Sequence, residues 1–357
     1  MSNKSFGKII RLLLVLPVLL VFVCSDCSAA GPAEKHILII HPYTTDFPGH
    51  ELFNKGLKSK FQEYPQYRLS YSYEYLDLAR YANDEGYLDD TARYFQAKYL
   101  KRQPVMIVTT DALVPFLKKY GKNMFPGVPV IMAWNEDRTP IDKTPPEFVV
   151  APGTIEIERH IQIILQTRPS TKTIYIFIGD SAVERRLVGL TSSVTGKYAD
   201  RVNFVYLNKL PFAQMMEQIR QASGDAVIWY IALVADVERK NFIPAQVVQT
   251  VCQEARVPVY GIYAHYIGLG IVGGYVYNYE IMGRNVVARA LDILNGKKPW
   301  EIPVTRMSYG EYAFDWRQLK RWGIDQSKLP PGSRVEFRAY TVWELYQRYI
   351  IGGLALF

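Results

Sequence analysis

Short apolar runs rich in β-branched residues recur along this chain. Each ends at a polar or glycine-bearing turn, and most lead into a longer amphipathic stretch. The runs are His36–His41, Val105–Thr109, Val130–Ala133, Thr173–Ile178, Ala226–Ile231 and Val257–Gly261. Continuous apolarity over so few residues fits strands buried on both faces. Two further strands, Tyr67–Leu76 and Asn203–Leu207, mix polar and aromatic residues, as a strand with one wetter face does. Between them the helical period marks Gly49–Tyr64, Asp89–Lys101, Leu113–Tyr120, Ile155–Gln166, Ala182–Tyr198, Phe212–Ala222 and Asn241–Ala255. Strand and helix in alternation give a parallel sheet with right-handed crossovers.

The alternation runs through two similar cycles. Arg138–Pro152, rich in Pro, Asp, Lys and Thr, reads as the first crossing between them. The expected fold is α/β, with two Rossmann-like lobes and a ligand cleft between them. Residues 34–140 plus 264–305 form the first lobe and 150–262 the second. The chain returns to the first lobe at about Ala264.

The return passes through Val259–Pro299, a strand, a turn at Ala264-His265, a glycine-rich loop, a second strand (Ile271–Tyr277) and a long helix from about Glu280. Gly268-Leu-Gly270-Ile-Val-Gly273 satisfies the spacing of the dinucleotide fingerprint. That motif needs a helix opening at its third glycine and an acidic residue about 20 positions on. Here the third glycine opens another β run, so the glycines read as a close strand crossing where side chains would obstruct.

The same stretch carries a resemblance. A Gly270-Ile-Val-Gly-Gly274 strand, a Tyr279-x-x-Met282-Gly283 helix and Leu294-Asn-Gly-Lys297 before Pro299 resemble the returning segment of periplasmic binding proteins of type 1, more narrowly the ABC-transporter substrate-binding-like family. Farther on, Phe314-Asp-Trp-Arg-Gln-Leu-Lys-Arg-Trp-Gly-Ile324 with Leu329-Pro-Pro-Gly-Ser333 is similar to the branch of that family found as sensor halves of membrane-bound histidine kinases. The resemblance covers nearly all of residues 34–340. It implies a small-molecule ligand, no cofactor, and either an ABC permease or a membrane-embedded kinase module as partner.

Both ends point to the membrane. Lys4, Lys8 and Arg11 precede the apolar run Leu12–Val23, and Ser28-Ala29-Ala30 offers small residues for cleavage, so residues 1–30 read as a signal peptide and the protein as exported, to the periplasm or the extracytoplasmic face of the inner membrane. Val23 and Asp26 are poor residues directly before a lipidated cysteine, which argues against lipid at Cys24 or Cys27. Cleavage leaves Cys252 alone, so the exported chain rests on its core rather than on a disulfide. At the other end, after a C-terminal extension over 306–342, Trp343–Phe357 reads either as the start of a transmembrane helix, anchoring the protein, or as a helix docked on the body. The net charge of +8 is scattered in short pairs such as Lys118-Lys119 and Arg185-Arg186, a solvated surface and no nucleic-acid footprint.

Ligands of open α/β sheets sit beyond the carboxyl ends of the strands. Those ends supply His41, Tyr43, Asp46, Thr110, Asp111, Trp134, Asn135, Asp180, Ser181, Ala232, Ala264 and His265 as candidate ligand-binding residues. Several precede helices whose free N–H groups suit a carboxylate or phosphate, and the aromatics suit an apolar wall. Asp111 and Asp180 also fit as helix caps, Asn135 as a turn residue and Trp134 as core. Five histidines, at 36, 41, 50, 160 and 265, form no metal-binding motif, Glu156 and His160 (four apart on one helix) read as a solvated pair, and no nucleophile elbow occurs. The reading is a binding protein, not an enzyme.

Overall fold

The computed structural model describes residues 34–135, 145–154, 156–339, 346–347 and 351. The signal peptide, residues 138–144 of the expected first crossing and nearly all of Trp343–Phe357 lie outside the described residues.

Strands β1 (Lys35–His41), β2 (Leu69–Tyr75), β3 (Met106–Thr110), β4 (Val130–Asn135) and β5 (Phe148–Thr154) form a sheet with the two-residue β11 (Met307–Ser308) at its edge, in the order β11-β5-β4-β3-β1-β2. Every pairing in it is parallel. Helix α1 (Pro48–Phe61) follows β1, the short α2 (Leu78–Tyr81) and α3 (Glu85–Tyr99) follow β2, and α4 (Val114–Met124) follows β3. Both faces are covered. Leu38 and Ile40 of β1 join one apolar cluster with Leu88 and Phe95 of α3, while Ile37 and Ile39 join another with Phe53 and Leu57 of α1. That two-sided burial is why β1 has no polar alternation, and each such side chain stabilises the fold by roughly 1.5–3 kcal/mol.

The second sheet has the order β7-β6-β8-β9, again all parallel, from β6 (Thr173–Ile178), β7 (Asn203–Tyr206), β8 (Ala226–Ala232) and β9 (Val259–Gly261). Helices α5 (Ile157–Thr167) and α6 (Ala182–Thr195) supply one face, and α7 (Phe212–Arg220) and α8 (Pro244–Glu254) the other. A third, small sheet joins β10 (Gly273–Tyr277), β12 (Gly310–Asp315) and β13 (Arg334–Glu336). Within it β10 and β12 are antiparallel and β12 and β13 parallel. Its Tyr275 and Phe314, with Leu319 of α10 (Trp316–Arg321), lie in the core of the second lobe. By contrast, Met282, Val286 and Ala290 of α9 (Tyr279–Leu294) lie in the core shared with α1 and the first sheet.

Three readings of the sequence are corrected. Residues 266–276, given to the first lobe, pack in the cores of the second, Tyr266, Ile271 and Val276 on one side of its sheet and Val272 and Tyr275 on the other, so the chain crosses back near Asn278 and not at Ala264. Phe148–Thr154, assigned to a linker, is a full strand of the first sheet, with Trp134 opposite Pro152 in the register. Pro145-Pro146 before it and Pro152-Gly153 after it disguise the apolar Phe148-Val-Val-Ala151. His160 is not a solvated partner of Glu156: it is buried and stacks on Trp229 with centroids 5.5 Å apart. The glycine-rich stretch does act as a close crossing. Gly268, Gly270 and Gly273 all have positive φ, and a Cβ at Gly273 would strike the backbone of Ala313 and Phe314.

Candidate ligand-binding site

The strand orders locate the topological switch point of each sheet, the place where ligands of open α/β sheets generally bind. In the first sheet the connections from β1 and β3 leave in opposite directions, so the switch point is the crevice beyond their carboxyl ends, where His41 and Thr110 stand. In the second sheet the corresponding pair is β6 and β8, ending at Ile178 and Ala232.

Beyond β1 the chain turns through Pro42–Phe47 and enters α1 with Pro48 in its first turn, a position where the missing N–H is no loss. This turn lays down a set of rings. His41 stacks on His50 with centroids 4.2 Å apart and planes 25° off parallel, and on Tyr75 at 5.0 Å. Tyr43 stacks on His50 at 6.0 Å, and Phe47 meets His50 edge-on at 4.8 Å. The return segment supplies the other side: Phe47 faces Tyr279 at 5.7 Å and His265 at 6.4 Å, and His265 stacks on Tyr263 at 5.4 Å.

The imidazoles in this cluster are neutral. Burial pushes His41 down to about 4 against the hydrogen bond between its Nε2 and Asn54 Oδ1 (3.1 Å). Burial, then the neighbouring His41, pushes His50 down to about 3. The Thr44 carbonyl, 3.2 Å from His50 Nδ1, can only accept, which fixes the proton on Nδ1 and leaves Nε2 an acceptor. His265, lowered to about 4 by burial, has a buried Nδ1 with no hydrogen-bond partner. The result is an uncharged cluster of aromatic and heteroaromatic rings, in which His41 and His50 are buried and Tyr43, Phe47, Tyr263, His265 and Tyr279 are half-buried.

The second switch point is built differently. Ser181 caps α6, and its hydroxyl and backbone are engaged with Glu184 in a reciprocal box. The Glu184 carboxylate, 1 % exposed, accepts from the backbone N–H of Ser181 (2.9 Å), Val234 (2.6 Å) and Ala235 (3.4 Å), tying the loops after β6 and β8 together. Asp180 pairs with Arg185 at 3.1 Å instead of capping the helix. Ala232, the end of β8, is buried and its carbonyl accepts from the Gly179 N–H (2.9 Å).

Of the candidate residues, the structure brings His41, Tyr43, Ala264 and His265 into one neighbourhood, His41, Tyr43 and His265 through the ring contacts above and Ala264 as the neighbour of His265 in the same turn. Thr110 is half-buried at the end of β3, and Asp46 is exposed on the turn. Asp111 opens a short 3-10 turn, and Trp134 and Asn135 end β4, but their side chains lie outside the described residues. Phe47, His50, Tyr279 and Glu184 escaped the reading of the sequence. The first three sit within helix N-terminal turns, not at strand ends; Pro48 beside Phe47 and His50 was the available signal. A separate cavity of about 320 Å³, lined by Leu117, Phe125, Val128, Glu147 and Phe148 among others, opens at the amino ends of β3–β5 and contains none of these residues. Among the described residues no group of His, Cys, Asp and Glu is placed to hold a metal ion.

Two parallel-sheet lobes joined by several crossings, with a ring-lined switch point, define a periplasmic-binding-protein fold of type 1. Solved structures share it. The chain superposes on a domain in complex with L-Trp from Streptococcus pneumonia with a TM-score of 0.61, at 15% identity, covering 85% of this chain and 100% of that one. It superposes on a ligand-free, open substrate-binding protein with adhesive properties from Clostridium difficile with a TM-score of 0.60, at 15% identity, covering 84% and 98%. No protein of curated function matches the chain in sequence. The family model described as ABC transporter substrate binding protein matches residues 102–328, more than half of the chain, and the protein belongs to that family.

Proposed function

We propose that the protein is an extracytoplasmic receptor that closes its two lobes on a small molecule with a flat, largely uncharged face. The observation that carries this reading is the ring cluster of His41, Tyr43, Phe47 and His50 against Tyr263, His265 and Tyr279 at the first switch point. The half-buried rings of this cluster, Tyr43, Phe47, Tyr263, His265 and Tyr279, would hold a planar body by stacking. Asp46, Thr110, Asp111, Trp134, Asn135, Asp180, Ser181 and Ala232 stand at the other strand ends from which a cleft would be completed. The ligand in the similar streptococcal structure, L-Trp, is of this planar kind. A thermal-shift screen of the full chain against aromatic amino acids, purines and indoles tests the reading. A hit should raise Tm in wild type and fail with both Tyr43→Ala and His265→Ala. A hit that survives both substitutions overturns the site.

A second reading, sensing rather than delivery to an ABC permease, is favoured by the C-terminal extension. β12, α10 and β13 are built into the second lobe through Phe314, Leu319 and Val335, so any movement of that lobe carries the C-terminal segment with it. Retention of the full-length protein in the inner membrane, with signalling lost on removal of 343–357, would support sensing. Recovery as a free periplasmic protein would favour delivery.

A further inference from the structure

Three chain segments connect the two lobes, and they converge on one polar cluster. β5 of the first sheet runs into Glu156 and α5, β10 of the third sheet runs through Asn278 into α9, and β11 of the first sheet runs through Tyr309 into β12. At their meeting point a single oxygen, Glu156 Oε2, accepts from Tyr275 Oη and from Ser308 Oγ (2.8 Å). The two hydroxyls lie 2.7 Å from each other, and Arg159 Nε holds the other carboxylate oxygen at 2.7 Å. Ser308 belongs to the first sheet through its pairing with Thr154, whereas Tyr275 lies in the second lobe's core. Beside the cluster, Asn278 N–H donates to the Tyr309 carbonyl (2.8 Å) and its Nδ2 to Glu311 Oε1 (2.6 Å), linking the second and third segments. A Cβ at Gly310 would run into the Tyr275 ring, so the position has room for this geometry only as glycine.

We infer that Glu156, Tyr275 and Ser308 form a brake on the hinge, a hydrogen-bonded latch that sets the balance between the present arrangement of the lobes and others. Tyr275 packs in the second lobe's core and Tyr277 in the first lobe's core against Tyr309, so a pivot between them in β10 separates Ser308 from Glu156 and Tyr275 while each ring stays in its own core. Burial disfavours the charged carboxylate, but the bonds from Tyr275, Ser308 and Arg159 outweigh it and hold Glu156 ionised, which makes each bond charge-assisted. The site is partly exposed, so the expected effect of losing one bond is a population shift of about three- to tenfold, less than a fully buried pair would give.

The inference rests on the two-lobe closure proposed above, and the test separates the two. Fluorophores on genetically encoded azido residues at the exposed Arg93 and Gln221 report the distance between lobes in the full chain by single-molecule energy transfer, without touching the cysteines. Ser308→Ala and Glu156→Gln should each raise the minority arrangements about three- to tenfold over wild type. Ser308→Thr, which keeps the hydroxyl, should restore the wild-type distribution. Melting temperatures measured in parallel identify a variant that is merely damaged, and the exposed Ser308 pair then carries the test alone. Two distances in every protein, in unchanged proportion, would overturn the brake and leave closure standing. One fixed distance in wild type and in Glu156→Gln/Ser308→Ala would overturn both.

Discussion

The imidazoles of His41 and His50 lie 4.2 Å apart and 25° from parallel, one at the end of a strand and the other in the first turn of the helix that follows. A stack this close excludes two charged rings, which would repel in a medium that cannot screen them, and burial of each ring disfavours even a single charge. The stack thus fixes both the shape of the first switch point and its charge.

Stability should therefore fall on mild acidification. Five histidines, four of them buried and His265 half-buried, have folded pKa values depressed below the ordinary 6.5: His41 and His265 to about 4, His50 and His160 to about 3, and His36, by burial, in the same direction. Between those values and 6.5 the unfolded chain binds protons that the folded chain refuses, so the contribution is fully present above pH 6.5 and is lost as pH falls toward 4 and then 3. Each group adds a slope of up to about 1.4 kcal/mol per pH unit. Urea midpoints from pH 7.5 to 4.5 should drop steadily, and His50→Gln should flatten the curve. A wild-type midpoint unchanged over that range would contradict the burial of these rings.

The helices α1 and α9 meet through two glycines. A Cβ at Gly56 would strike the backbone of Glu280, and one at Gly283 would strike the backbone of Phe53. Gly56→Ala and Gly283→Ala should each destabilise by about 1–3 kcal/mol, because the contact is with backbone that cannot rotate away. Gly189, in α6 with open space around it, is the control: Gly189→Ala should stabilise by roughly 0.4–1 kcal/mol. Equal effects at all three positions would mean that the helices are not in close contact.

Most of the architecture was legible because two-sided burial writes itself into strands such as Ile37–Ile40 and Ile228–Ile231, and because turns follow them at once. Phe148–Thr154 was hidden by its prolines, since Pro152 sits where a strand ordinarily needs an N–H. Of the candidate site, the strand ends were legible in the sequence and the ring cluster was not. His50 and Phe47 enter the ring cluster from a helix N-terminus, a matter of how far one turn brings the chain back. Glu184 looked like an ordinary helical acid. Only the register of β6 beside β8 puts its carboxylate under the amides of Val234 and Ala235.

That carboxylate yields a further expectation. Glu184 satisfies three backbone N–H groups at the second switch point, two of them contributed by a loop fifty residues away in sequence. Glu184→Gln keeps the volume but turns a donor toward the amides, and Glu184→Ala leaves all three unpaired in a buried place. Both should cost stability, Glu184→Ala by about 3 kcal/mol and more than Glu184→Gln, as measured by urea unfolding. Since the amides and the end of α6 remain positively polarised, a small carboxylate should fit the space that Glu184→Ala opens. Acetate or formate should raise the Tm of Glu184→Ala and leave that of wild type unchanged. If neither anion rescues the variant, the three amides do not form a preorganised cradle and Glu184 acts through its helix cap alone.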